Sequence, residues 1–152
     1  MIKSCALCER VSPYFLSLLR VVIGGLMMQH GGQKILGYPS PERHIVFSPF
    51  SWPIGIAGTL ELVCGALVLV GLFTRIAAFI LSGEMAVAYF MVHAGRALWP
   101  IHNGGELAII FSFVFLYLAV AGAGPVSLDR LFFQRSAEAG EAPPEEAETE
   151  AQ

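Results

Sequence analysis

Residues 53–73 read PIGIAGTLELVCGALVLVGLF, an apolar run broken by a single charge, Glu61. A helix rises about 1.5 Å per residue, so a run of about 20 residues crosses the ~30 Å hydrocarbon core of a bilayer. Backbone groups in lipid must be satisfied inside the segment, and this run does not alternate as a barrel strand would. It therefore reads as a transmembrane helix. Pro53 suits its first turn, where an N–H has no helical partner anyway.

Three further runs of the same kind flank it. Residues 14–36 precede it, with Pro13 expected as the helix entry. Residues 76–93 follow after only Thr74-Arg75, which predicts a tight antiparallel hairpin. Residues 103–122 end at Gly124-Pro125, a stop signal. The expected fold is an all-α membrane protein, a bundle of four transmembrane helices. The link at 37–52 holds Pro39, Pro41 and Pro49 and is expected at the membrane surface, with Tyr38 and Trp52 at headgroup depth. The division is a cytoplasmic N-terminal segment at 1–12, a membrane domain at 13–135 and a disordered acidic tail at 136–152.

Composition agrees. The chain of 152 residues is 55% hydrophobic and 14% charged, with a mean hydropathy of +0.65, against roughly 25% charged in soluble chains. Six of the twelve acidic residues lie beyond position 135, so the net charge of −3 comes from the tail and the body is net +3. A basic balance this small gives no reason to expect nucleic acid as a partner. The first run carries Arg20 and has no small-residue cleavage site, so it reads as a retained helix and not a cleaved signal. Lys3, Arg10, Arg75, Arg130 and Arg135 fall on the side of the termini, and Lys34, Arg43 and Arg96 on the other. That bias places both termini in the cytoplasm.

Every one of the four runs contains ionisable residues. Each such residue costs about 2.5–3.5 kcal/mol at a helix centre, so it is expected to face the bundle interior and find a partner. By helical rise, Glu84 lies near mid-membrane, Glu61 slightly to the outer side and Arg20 to the inner side. Arg20 is therefore expected to reach Glu84 or Glu61, forming an intramembrane polar site. His30, Lys34, His93 and Glu106 fall in the outer half and are expected to line a second, outer-side pocket. On the first helix Arg20, Gly24, Met27, Gly31 and Lys34 share one face. Gly24 and Gly31 there, with Gly58 and Gly65 in the second helix, permit close helix approach.

Each of these features also has a plain structural reading. Paired charges can simply hold helices in register. His30 and His93 suit hydrogen bonding better than haem or metal ligation, since no Glu-x-x-His motif of the di-iron kind occurs, and no metal site is expected. Cys5 and Cys8 have the spacing of redox and zinc pairs, but no second pair completes four ligands and Cys64 lies deep in a helix. They read as an incidental cytoplasmic dithiol.

The stretches Leu19-Arg20, His30-Gly31-Gly32-Gln33-Lys34, Gly58-Thr59-Leu60-Glu61-Leu62, Gly71-Leu72-Phe73-Thr74-Arg75, Ala88-Tyr89-Phe90, Val92-His93, Asn103-Gly104-Gly105-Glu106-Leu107 and Ser127-Leu128-Asp129 occur in this order. In order and spacing, over about residues 15–133, the chain resembles the DoxX family of small bacterial membrane proteins. The resemblance implies a four-helix protein of the bacterial inner membrane. Some relatives are linked to thiosulfate and quinone chemistry or to protection against thiol and oxidative stress. It assigns no catalytic residues, and Cys5, Cys8 and the acidic tail lie outside its pattern.

Three functions follow as expectations. The first is an accessory subunit of a membrane redox system, quinone- or thiol-linked, working with redox partner proteins. Glu61 and Glu84 would exchange protons, Arg20 would be their counter-ion, and the outer-side residues would bind a polar head such as a quinone carbonyl. The chain carries no dinucleotide-binding glycine motif, so whether it is itself an enzyme stays open. The second is permeation or transport of a proton or small molecule. The third is a non-catalytic scaffold. Lipid is the certain surrounding on this reading, and a homo-oligomer is compatible with each.

Overall fold

A computed structural model describes residues 6–39 and 47–134. The expectations for Cys5, Lys3, Arg43, Arg135 and the tail at 136–152 fall outside the described residues. Within them the chain is helical, with no strand. Helix α1 runs Ala6–Leu36, α2 Ile54–Val70, α3 Thr74–Ala88, α4 Pro100–Asn103 and α5 Glu106–Ala121. A π-helical turn at Tyr89–His93 extends α3, and a second, Arg130–Gln134, follows α5.

Several boundaries differ from the sequence reading. Pro13 lies inside α1 and not at its entrance. A proline there removes one i→i−4 bond, yet its fixed φ is helical and the long helix continues past it. Thr74 and Arg75 belong to α3, and the hairpin turn is Gly71-Leu72-Phe73. Gly71 takes φ 74°, and the amides of Gly71 and Leu72 donate to Val68 O and Leu67 O at 3.1 and 2.9 Å. This pair of bonds is the Schellman ending, which glycine adopts without a Cβ penalty. Asn103 closes the short α4 instead of opening the last long helix, because Gly104 at φ 71° breaks the chain direction before Glu106.

Helix α1 packs on α2, α3 on α5, and α2 on α3. The α1–α2 crossing is antiparallel and built on glycines. A Cβ on Gly24 would lie 2.7 Å from Leu69 N, one on Gly65 would lie 2.8 Å from Met28 N, and one on Gly31 would collide with Leu62 N and Gly58 O. The two backbones therefore touch, as small-residue membrane interfaces allow. The expected inner face of α1 holds: Arg20, Gly24, Met27 and Gly31 are buried and Lys34 partly so. Ile23, Met27, Val68, Leu81, Phe111, Phe115 and Leu118 form the core between the four long helices.

The outer surface is apolar. Phe113 is 67% and Val120 72% exposed, while Arg20 and Glu61 are each 2% exposed. Apolar surface of this extent would not stay in water. Helices Leu7–Leu36 and Thr74–His93 are long and apolar enough to cross a membrane. Ile54–Val70 and Glu106–Ala121 are shorter apolar helices of 17 and 16 residues.

Candidate functional site

Glu61 projects from α2 into the bundle, where α1 delivers Lys34. The Lys34 Nζ donates to Glu61 Oε1 at 2.6 Å. The Lys34 stem crosses directly over Gly58, where a Cβ would come within 2.8 Å of Lys34 Cβ, so the glycine one turn before Glu61 makes room for the cation. Glu84 arrives from α3 and interacts electrostatically with both Glu61 and Lys34. Cys64, nearly one turn along α2, is buried.

Three helices thus contribute one cation and two carboxyl groups. Glu61 Oε2 and Glu84 Oε2 are both buried without a hydrogen-bond partner among the described residues. An unsatisfied buried polar atom costs about 1–3 kcal/mol. The one ammonium can balance only one of the two carboxylates. The arrangement can hold a proton or accept a hydrogen bond from a polar ligand.

Arg20 does not join this group, which overturns the expected pairing with Glu84 or Glu61. Its Nη1 donates to Val68 O and Leu69 O at 2.6 Å each, its Nε to Ala123 O at 2.9 Å and its Nη2 to Val126 O at 2.6 Å. The carbonyls of the last turn of a helix have no intrahelical donors, and that end carries partial negative charge. Arg20 lies level with the end of α2, so its planar fork caps those carbonyls and ties the segment after α5 to them. Asp129 interacts with it electrostatically.

No hydrogen bond or ion pair joins the outer-side residues to one another among the described residues. Lys34 turns to Glu61 and not to Glu106. His30 is exposed, with its ring edge-on to Phe111 at 5.8 Å between centroids. His93, in the π-helical turn, places Nδ1 3.0 Å from Asn103 O and stacks on Tyr89. Glu106 is exposed in the first turn of α5, where a negative charge favours the helix dipole.

Two organising residues escaped the sequence reading as site residues. Asn103 is buried, donates from Nδ2 to Ala97 O at 3.0 Å and accepts from Gly105 N at 2.8 Å. Asp129 accepts from Phe73 N at 2.7 Å and Thr74 N at 3.0 Å, capping α3 from 55 residues away. The Asn-Gly-Gly sequence signals the first, since asparagine before glycine favours such turns. Nothing local signals the second.

The sequence matches the DoxX family over residues 15–94, from α1 to the end of the π-helical turn. A Haemophilus influenzae protein described as uncharacterised is 44% identical over 133 residues, covering 84% of this chain and 97% of the relative. A Mycobacterium tuberculosis protein, described as an uncharacterised membrane protein, is 28% identical over 138 residues, covering 80% and 83% respectively. No solved structure matches. Matched by the family over more than half its length, and 44% identical to the first of these relatives over 84% of the chain, the protein belongs to the DoxX family.

Proposed function

We propose that the protein is a four-span subunit of a redox system in the bacterial inner membrane, with Lys34, Glu61 and Glu84 as its proton-exchanging centre. All four long helices cross the bilayer on this reading. The two shorter ones extend about 24–26 Å at helical rise, and a bilayer thins locally to match short spans. The substrate is a quinol-like molecule whose hydroxyl donates to the open carboxylate oxygens. Oxidation of the quinol to the quinone releases two protons, one to each carboxylate, and two electrons, which reduce a metal or flavin centre in a partner protein.

One observation carries the proposal: two buried carboxylate oxygens lack partners among the described residues, beside a lysine already committed to Glu61. A scaffold would gain nothing from leaving them open. Intramembrane ionisable groups mark functional sites by default.

The test is quinone turnover in native membranes of a deletion strain complemented with variants. Glu84→Gln keeps shape and hydrogen bonding but cannot give up a proton. Rates about a hundredfold lower, with normal insertion, are the expected result, since positioned proton transfer is worth ~10²–10⁴. Unchanged turnover with both Glu84→Gln and Glu61→Gln rejects the proposal. Proton flux in proteoliposomes that needs Glu84, without any quinone effect, would favour permeation instead.

A further inference from the structure

The segment after α5 folds back over the start of α3 and leaves a cavity of about 540 Å³ between them. Arg75 and Arg130 line it, at the end of the bundle away from the Lys34 site. Thr74 lines it too, is fully buried, and its Oγ1 has no hydrogen-bond partner among the described residues. Arg75 commits Nη1 to Val120 O at 2.7 Å and Ala119 O at 3.4 Å. Its Nε and Nη2 lie over Gly122, where a Cβ would come within 3.3 and 3.2 Å of them. Asp129 also lines the cavity, but its two oxygens are taken by Phe73 N and Thr74 N. Behind the loop, Arg20 holds Ala123 O and Val126 O, and its charge is offset by Asp129, which leaves Arg75 and Arg130 as the cavity's cations. The rim is apolar, with Phe73 51% and Ile76 64% exposed.

We propose that this cavity binds the phosphoryl headgroup of an acidic phospholipid. A guanidinium presents N–H groups in a fixed fork that matches phosphate oxygens. Arg75 supplies that fork through Nε and Nη2, and the Thr74 hydroxyl donates its unused hydrogen. Ile76 and Phe73 lie where acyl chains leave the headgroup, which favours a lipid over free phosphate. The site shares no residue with the carboxylate centre, so it stands or falls independently of the redox reading.

The test is native mass spectrometry of the full chain in detergent, titrated with phosphatidylglycerol and with phosphatidylcholine, and competed with inorganic phosphate. Wild type is expected to retain one phosphatidylglycerol and to bind phosphatidylcholine more weakly. Arg75→Gln should weaken binding about tenfold or more, the size of one charge-assisted bond. Thr74→Val, which keeps the side-chain shape, should cause a smaller loss in a fully folded protein. Arg96→Gln, at the other end, should change nothing. Equal affinity in wild type, Arg75→Gln and Thr74→Val overturns the proposal. Displacement of the lipid by inorganic phosphate overturns the lipid assignment and leaves a free-anion site.

Discussion

Lys34 Nζ and Glu61 Oε1 meet at 2.6 Å between α1 and α2, with the Glu61 side chain 2% exposed. Removing one member of such a pair leaves a charge uncompensated inside the bundle. Lys34→Met should therefore destabilise by about 3 kcal/mol, the low end for a broken buried pair because the lysine is partly exposed. Lys34→Met with Glu61→Leu should recover most of that loss. Thermal unfolding in detergent, followed by helical circular dichroism, checks both. A double variant no better than Lys34→Met would show that the pair contributes no mutual compensation.

Arg20 and Glu84 should behave as strangers. A double-mutant cycle of Arg20→Gln with Glu84→Gln should give a coupling within about 0.5 kcal/mol, the additivity of separate sites. Lys34 with Glu61 should exceed about 1 kcal/mol in the same assay, as contacting charges do. Strong Arg20–Glu84 coupling would restore the pairing that the sequence alone suggested.

Arg20→Lys should not be tolerated as a conservative change. Lysine is a point charge and cannot serve four carbonyls on two chain segments. Loss of at least two charged hydrogen bonds should cost about 3 kcal/mol or more. The segment 122–129 should become sensitive to limited proteolysis, while α3 and α5 remain helical. Wild-type resistance in Arg20→Lys would refute the clamp.

The glycines divide into two classes. Gly65→Leu and Gly31→Val should abolish assembly, because the facing backbones leave no room for a Cβ. A Cβ on Gly83 would meet nothing within 4 Å, so Gly83→Ala should be neutral or stabilise by about 0.5–1 kcal/mol through helix propensity. Melting temperatures of the purified variants separate the classes.

Asp129→Ala should remove the cap of α3 and cost about 1 kcal/mol, the usual value of an N-terminal capping side chain. Amide hydrogen exchange at Phe73 and Thr74 should rise in this variant. Unaltered exchange there would mean that the carboxylate does not hold those amides.

Much of the architecture was legible along the chain. Apolar run lengths located the four long helices, and helical periodicity placed Arg20, Gly24, Met27, Gly31 and Lys34 on one buried face. The same arithmetic nominated Glu61 and Glu84, because a charge inside an apolar run must turn inward. The choice of partner was not legible. It depends on how far α1 slides along α2, and the interlocking of Gly31 with Gly58 and Leu62 sets that offset only once the helices pack. Arg20 met carbonyls, which every residue possesses and no sequence pattern marks. The sequence by itself determined where the long helices lie and that Arg20 and Glu61 go inside, since a charge in an apolar run must find a partner, but not that His30 and Glu106 stay exposed. The tertiary structure alone decided which charge faces which oxygen, since that is a matter of a few ångströms of helix offset.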